Sequence, residues 1–308
     1  MAGLDGTGRG KPGELSVTAS TVERADYRPQ GPSLSRSPLV SIVTPSFNSE
    51  AFLEQTILSV VGQTYPNIEY IVIDGGSTDR TVETIKRHGK AISRWLSEPD
   101  NGQGDALRKG FALATGEVLA WINSDDVYPP DAVESAVAAL EQSGADLVYG
   151  NRGVIDAEGR TIGERRLSPF LPFFSRGGVL YGGFGIYQPA AFWTRALYER
   201  VGGIDASYSH CMDTDLVTRF AMAGAKFKFV KKDLVAFRLH GDSKTSMLAP
   251  QMREERDRIA AGLPHRNALY RSTIRLVCRA WRLLYDIRDS QGRYMLRRVL
   301  DRRYRYLQ

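Results

Sequence analysis

The chain has 308 residues, of which 42% are hydrophobic and 25% are charged. This composition is typical of a soluble globular protein with one large α/β domain or two small ones. No run approaches the roughly 18–20 apolar residues of a membrane-spanning helix, and the N-terminus has no signal-peptide pattern, so we expect a cytoplasmic protein. The two cysteines, Cys211 and Cys278, lack the spacing of metal ligands and predict two reduced thiols.

The net charge of +6 is unevenly distributed along the chain. Residues 251–308 contain 15 Arg, no Lys and 6 Asp or Glu, a net charge of +9, so the remaining residues sum to −3. The basic character therefore belongs to the C-terminal tail and does not describe the rest of the protein.

Residues 1–37 are rich in Gly, Ser, Pro and Arg without an apolar period, which predicts a disordered N-terminal tail. Short apolar runs then alternate with segments whose apolar spacing is that of amphipathic helices, the first containing Leu53, Ile57 and Val60. The predicted strands are residues 40–44, 69–73, 92–96, 118–122 and 147–149. This alternation predicts a doubly wound, mainly parallel α/β sheet.

The pattern changes after Gly150. Residues 154–162 predict a hairpin, and residues 177–185, with five glycines, predict a mobile loop that either closes over a substrate or is a plain connection. Further predicted elements are helices at about 195–201 and 213–223 and strands at 227–230 and 235–239. From about residue 250 the chain is predicted to be helical and arginine-rich.

Four predicted strands are followed directly by polar residues. These segments are Thr44-Pro45-Ser46-Phe47-Asn48, Asp74-Gly75-Gly76-Ser77-Thr78-Asp79, Glu98-Pro99-Asp100-Asn101-Gly102 and Asn123-Ser124-Asp125-Asp126. Each segment alone also suits a turn or a helix cap. Together they predict an acidic pocket, because ligands of open α/β sheets bind beyond the carboxyl ends of the strands. A phosphorylated ligand in such a pocket requires a divalent cation, Mn²⁺ or Mg²⁺.

In their order and spacing these segments resemble the inverting family 2 glycosyltransferases of the GT-A fold. Further matching segments are Gly116-Glu117, Gln188-Pro189-Ala190-Ala191-Phe192-Trp193, Met212-Asp213-Thr214-Asp215-Leu216 and Phe237-Arg238-Leu239-His240-Gly241-Asp242-Ser243. The resemblance covers residues 38–246 and implies a GT-A domain there, a Rossmann-like mainly parallel sheet with an acceptor-side extension. Residues 247–308 would form a basic helical C-terminal extension.

The resemblance implies sugar transfer from a nucleoside-diphosphate sugar to a hydroxyl acceptor with inversion, in polysaccharide or glycolipid assembly of the bacterial type. The residues implied to bind the nucleotide sugar are Thr44, Pro45, Asn48, Asp74, Glu98, Arg108, Asn123 and Ser124. Asp125, and His240 if it is not merely structural, would bind the metal at the diphosphate. Asn123 departs from the usual Asp, which removes one negative charge.

Catalysis is implied for an acidic pair. Asp213 aligns with the second acid of the family's Glu-Asp motif and is the first candidate for the general base, and Asp215 is the second. Met212 stands where the family usually has the preceding acid. Aromatic Phe192 and Trp193 would either stack on the acceptor sugar or belong to the core.

One alternative to an active transferase remains open. A catalytically weak or inactive protein that binds nucleotide sugar or polysaccharide is favoured by Asn123.

The arginine-rich tail predicts either a solvated helix or one that lies on anionic membrane lipid near a lipid-linked acceptor. In the second case its apolar face would be Ile274, Leu276, Val277, Trp281, Leu284 and Tyr285. No nucleic-acid-binding motif accompanies the charge, and no G-x-G-x-x-G follows the first strand, which disfavours a dehydrogenase.

Overall fold

A computed structural model of the chain describes residues 34–165, 175–181, 186–241 and 250–288. Almost all of the predicted N-terminal tail lies outside these residues. The elements of the first half are β1 (Val40–Ser46), α1 (Leu53–Val61), β2 (Ile68–Asp74), α2 (Thr81–Arg87), β3 (Arg94–Ser97), α3 (Gln103–Leu113), β4 (Val118–Trp121), α4 (Ala132–Ser143) and β5 (Leu147–Ile155). The alternation of strand and helix predicted from the apolar pattern is confirmed.

The second half is less regular. Its elements are β6 (Thr161–Arg165), α5 (Ser175–Tyr181), a 3-10 turn (Gln188–Ala190), β7 (Ala191–Thr194), α6 (Arg195–Arg200), α7 (Met212–Met222), β8 (Phe227–Arg238), α8 (Pro250–Ala261) and α9 (Ala268–Arg288). The predicted hairpin is formed by β5 and β6, which pair antiparallel. Its turn contains Gly159 in the left-handed region, with φ of 83°.

The strands form one sheet in the order β3-β2-β1-β4-β7-β5-β6, with β8 also paired to β5. Strands β1 to β4 are mutually parallel, and β8 runs parallel to β5. Strand β7 is antiparallel to both of its neighbours, which restores the common direction in β5. The sheet is therefore mainly parallel, as predicted, and the carboxyl ends of β1 to β4 meet at one edge.

Two predictions for the second half are wrong. Residues 227–238 form one strand rather than two, because the pairing with β5 resumes at Asp233 after a register shift. Residues 177–181 are helical rather than a loop, and residues 182–185 lie outside the described residues. A Cβ atom added at Gly177 would lie 3.3 Å from Ile274 Cδ1. This close packing against α9 outweighs the low helix propensity of glycine.

Apolar residues cover both faces of the sheet. On β1, Ile42 faces the core shared with α1 and α4, whereas Val43 faces the core shared with α3 and α7. The second core is completed by Ile274 and Cys278 of α9, which are buried. The C-terminal helices therefore pack on the sheet domain. Among the helices in the described ranges, none has the length and apolar character needed to cross a membrane.

Candidate active site

Asp74, at the end of β2, organises the loop that follows it. Its Oδ2 atom accepts hydrogen bonds from the backbone N–H groups of Gly76 (3.1 Å) and Ser77 (3.0 Å) and from Ser97 Oγ (2.7 Å). The Ser77 hydroxyl also donates to Oδ1. Asp74 is fully buried, so its carboxylate is engaged in shaping the loop.

The loop after β1 presents an exposed aromatic ring at the same edge. Thr44 and Pro45 are buried, and the Thr44 hydroxyl lies 3.1 Å from Tyr70 OH. Phe47, by contrast, is 62% exposed. Asn48 follows in the left-handed region with φ of 46°, a conformation that asparagine tolerates better than most residues. Its Oδ1 accepts a hydrogen bond from Thr78 N at 3.0 Å, which joins this loop to the loop after β2.

Glu98 and Arg108 belong to charged pairs along α3. Glu98 pairs with Lys109 at 2.8 Å, and Arg108 Nη2 donates to Asp105 Oδ1 at 2.8 Å. Both side chains are exposed. The structure therefore brings them to the rim of the strand-end edge and not to the residues after β4.

Asn123 and Ser124, after β4, are joined to two other loops. Asn123 Oδ1 accepts a hydrogen bond from Gln103 Nε2 at 2.8 Å, at the first residue of α3. The Ser124 hydroxyl lies 2.8 Å from that of Ser49. The amide carbonyl that replaces a carboxylate at position 123 is thus engaged within the protein.

Asp125 and His240 lie together although 115 residues separate them. Asp125 Oδ2 and His240 Nε2 are 3.0 Å apart, and both residues are partly accessible. The imidazole packs against the ring of Phe52, with 4.7 Å between the centroids. Asp125 is accordingly the carboxylate of this loop that has both an imidazole neighbour and access to solvent.

Asp126 has the opposite environment from Asp125. It is fully buried, and burial together with the charge of Asp125 raises the pKa of its carboxyl well above the ordinary value. Its Oδ1 accepts a hydrogen bond from the backbone N–H of Arg238 at 3.0 Å. Asp126 is therefore a structural acid, and Asp125 is the accessible carboxylate of the acidic run after β4.

The Arg238 side chain is fully buried and makes four hydrogen bonds that support this loop. Its Nε donates to the carbonyl oxygen of Asp125 at 2.8 Å, and Nη2 donates to Gln55 Oε1 at 2.7 Å. Nη1 donates at 3.0 Å to the carbonyl oxygens of Asp156 and Ala157 in the β5–β6 turn. The sequence analysis identified Arg238 only as part of a motif. The signal for its role is an arginine within the otherwise apolar run of residues 234–239.

The metal predicted at Asp125 is compatible with the residues present. Within the described ranges no group of three or more His, Cys, Asp or Glu side chains is suited to a metal ion. The Asp125–His240 pair offers one carboxylate and one imidazole, and Mg²⁺ or Mn²⁺ commonly takes few protein ligands and completes its shell with water and phosphate oxygens. The donor set therefore fits a metal that binds together with a diphosphate.

The two acids of α7 occupy different environments. The Asp213 carboxyl is partly accessible yet closely surrounded by protein, and burial raises its pKa despite hydrogen bonds from the Thr214 N–H (2.6 Å) and hydroxyl (3.2 Å). Asp215 is buried and accepts from Nε (2.9 Å) and Nη2 (2.6 Å) of Arg219. Asp213 is thus the more available proton acceptor.

The segment that leads into α7 passes close to the strand-end edge. A Cβ atom added at Gly104, one residue after Gln103, would lie 3.1 Å from Ala206 Cα in this segment. Because Gln103 also binds Asn123, this part of the segment lies near the loop after β4. Phe192 and Trp193 lie elsewhere, fully buried in the two cores, so neither is available to an acceptor.

Residues 41–202 match the family model described as Glycosyl transferase family 2. A protein of Mycobacterium tuberculosis (strain ATCC 25618 / H37Rv) named as an uncharacterized glycosyltransferase is 34% identical over 191 residues, which cover 61% of this chain and 71% of the relative. A protein of Nostoc sp. with the same description is 27% identical over 236 residues, 74% of this chain and 73% of the relative.

Solved structures with a similar fold include TarS 1-349 of S. aureus in complex with UDP-GlcNAc, with a TM-score of 0.61, 17% identity, and coverage of 77% of this chain and 70% of that one. The mannosyltransferase PcManGT of Pyrobaculum calidifontis, in complex with GDP-Man and Mn²⁺, has a TM-score of 0.56, 16% identity, and coverage of 88% and 83%. The chain spans 42% of a longer TarS structure. At these identities the likeness bears on the fold alone, and it confirms the predicted GT-A-type α/β fold.

Proposed function

Because the chain belongs to glycosyl transferase family 2, we propose that it is an inverting enzyme that moves a sugar from a nucleoside-diphosphate sugar to a hydroxyl acceptor. The observation that carries the proposal is the Asp125–His240 pair beyond β4, together with the contact of the segment before α7 with the start of α3, whose Gln103 binds Asn123 of the same loop. Helix α7, which follows that segment, carries the Asp213 carboxyl with its raised pKa.

The nucleotide is proposed to bind over the loops after β1 and β2. Exposed Phe47 provides an aromatic face for a base, Asn48 joins the two loops, and Asp74 orders the second of them. The donors in two structures of similar fold, UDP-GlcNAc and GDP-Man, support a nucleoside-diphosphate sugar as the class of donor.

Asp125 and His240 are proposed to hold Mn²⁺ or Mg²⁺ at the diphosphate. When bound, the ion supplies Lewis-acid neutralisation of the charge on the leaving group. Arg238 keeps the Asp125 backbone in place, and Asp126 is buried against the backbone of Arg238. The Mn²⁺ in PcManGT supports the choice of metal.

Asp213 is proposed as the general base that accepts the proton of the acceptor hydroxyl, in an oxocarbenium-like transition state. Burial raises its pKa toward the working pH, which improves a carboxylate as a proton acceptor. Asp215 is held by Arg219 and is proposed to stabilise α7 instead.

The test is nucleoside diphosphate release from a panel of UDP-, GDP- and dTDP-sugars with Mn²⁺, before and after chelation. We expect release with at least one donor, loss on chelation, and a reduction of kcat by about 10²- to 10⁴-fold in Asp213→Asn. The matched control is Asp257→Asn on the exposed surface of α8, which should keep full activity. Near-normal turnover of Asp213→Asn contradicts the base assignment.

A second candidate function is a protein that binds a nucleotide sugar without turning it over. The observation in its favour is the engagement of Asn123 Oδ1 by Gln103, which leaves Asp125 as the accessible carboxylate of its loop. Calorimetric binding of UDP- or GDP-sugars without any release of nucleoside diphosphate distinguishes it from the transferase.

We further propose that the acceptor is a saccharide or lipid-linked molecule reached at an anionic membrane surface through α9. The face expected from the sequence is divided in the structure, because Ile274 packs into the core. Leu276 and Leu284 of the expected face are exposed, and Leu276 aligns with exposed Leu269 and Leu283, seven residues apart and therefore on one side of the helix. Exposed arginines of α9, at positions 271, 275 and 279, suit anionic lipid.

Flotation with vesicles of phosphatidylglycerol and phosphatidylcholine tests this localisation. We expect the full chain to float with anionic vesicles and the variant Leu269→Gln/Leu276→Gln/Leu283→Gln to stay in the soluble fraction. The control is Leu58→Gln, an exposed leucine of α1. Equal flotation of the triple variant, or flotation with phosphatidylcholine alone, contradicts a role for this face with anionic lipid.

A further inference from the structure

The segment that leads into α7 is bound by a carboxylate from the C-terminal extension. Glu255 of α8 accepts three consecutive backbone hydrogen bonds: from Ser209 N to Oε1 at 2.7 Å, and from His210 N at 2.9 Å and Cys211 N at 2.8 Å to Oε2. Cys211 directly precedes the first residue of α7. The start of α7 therefore depends on a residue 44 positions further along the chain.

Two further residues of α8, about one turn before and one turn after Glu255, contact the same segment. The guanidinium of Arg258 lies 3.7 Å from the ring centroid of Tyr208, and its Nη2 donates to the Ser207 hydroxyl at 3.1 Å. The thiol of Cys211 donates to the carbonyl oxygen of Met252 at 3.6 Å. Helix α8 thus holds residues 207–211 at both ends as well as in the middle.

Glu255 is ionised in this arrangement. Burial opposes its charge, but the hydrogen bonds from Ser209, His210 and Cys211 together outweigh burial and lower its pKa. Hydrogen bonds from N–H groups to a carboxylate are stronger than those to a neutral acceptor. A neutral side chain at position 255 would therefore hold the segment less firmly.

The same segment determines where Asp213 stands. The Cys211 carbonyl accepts the first helical hydrogen bond of α7, from Asp215 N at 2.8 Å, and Asp213 lies between them in the first turn. We propose that Glu255 is a positioning residue for the transfer reaction, which holds the start of α7 so that the Asp213 carboxyl faces the acceptor hydroxyl. This inference rests on the proposed role of Asp213 as the base.

The test is Glu255→Gln in the full chain, which keeps the size of the side chain and removes its charge. We expect kcat to fall by roughly 10- to 100-fold, as misplacement of a reacting group does, with the donor KM unchanged because the donor loops follow β1, β2 and β4. The matched control is Glu254→Gln, the exposed neighbour on α8, which should behave as the original protein.

Two further readouts separate positioning from stability alone. Amide hydrogen exchange of residues 209–215 should become faster in Glu255→Gln, and the acid limb of its kcat–pH profile should move to lower pH as Asp213 gains access to water. Glu255→Asp, which keeps the charge, should recover part of kcat.

The outcomes distinguish this inference from the proposed function. A lower Tm in Glu255→Gln with unchanged kcat and an unchanged acid limb, measured where the variant is folded, overturns the positioning role alone. Unchanged kcat in Asp213→Asn overturns the base assignment and the positioning role together.

Discussion

The first turn of α7 gives two carboxylates opposite properties. Asp215 is neutralised by Arg219, four residues later on the same helix, whereas burial raises the pKa of Asp213 although the charge of Arg256 opposes the shift. Two titratable groups with diverging environments are a frequent mark of divided roles in a site. Both acids were candidates from the sequence, and the i, i+4 spacing of Asp215 and Arg219 can be read from it. The burial of Asp213 cannot.

The raised pKa of Asp213 predicts the pH dependence of turnover. The proposed base works only when deprotonated, and its pKa lies above the ordinary value of 3.8, so kcat should decline with falling pH earlier than an ordinary aspartate would dictate. A kcat profile from about pH 4 to 9 checks this. A rate that stays level down to the ordinary aspartate range contradicts it.

Asp215→Asn should affect stability more than chemistry. The change removes the charge that pairs with Arg219 and should reduce the free energy of unfolding by about 1–3 kcal/mol. Urea unfolding measures this loss, with Asp257→Asn as the surface control. A kcat loss in the folded variant as large as that of Asp213→Asn would instead favour Asp215 as the base.

At the scale of elements, the prediction from sequence succeeded where one local pattern sufficed. The parallel strands β1 to β4 are apolar runs that polar residues follow directly, so their shared edge was predictable. Strand β7 was missed because four buried residues show no alternation. The single strand β8 was divided because its charged middle is held by pairing with β5, which is tertiary information.

Arg238 shows how one element supports another at this scale. Replacing it with Met removes hydrogen bonds to the β4 loop, α1 and the β5–β6 turn, so we expect the free energy of unfolding to fall by about 3–5 kcal/mol. Urea unfolding measures the change. Arg160→Met, in the same turn but exposed, should cost no more than about 1 kcal/mol. Equal losses in the two variants would contradict the supporting role.

At the scale of the whole molecule, the C-terminal extension completes the domain. Composition alone marked it as a basic tail, since its arginines dominate the sequence. Its contacts with α5 and with the segment before α7 depend on side chains that are far apart in sequence, and no local pattern reveals them. The prediction of helix was confirmed for Pro250–Ala261 and Ala268–Arg288, and residues 289–308 lie outside the described residues. The packing of Ile274 and Cys278 emerged only from the fold.

A pair of neighbouring residues tests this packing. Ile274 is 2% exposed and Leu276 is 69% exposed on the same helix. Ile274→Ala should reduce the free energy of unfolding by about 2–5 kcal/mol, the usual loss for a large apolar side chain in a core, whereas Leu276→Ala should change it by less than about 0.5 kcal/mol. Urea unfolding of both variants is the measurement, and similar small losses would contradict docking of α9.

The contact between Glu255 and residues 209–211 also has a consequence for synthesis. A ribosome adds about 5–20 residues per second, so the amides of this segment are made about 2–9 s before the carboxylate that binds them, which follows 44–46 residues later. During that interval the nascent chain holds every strand-end loop of the donor site but not a fixed α7. Acquisition of transfer activity should therefore be among the last events of translation.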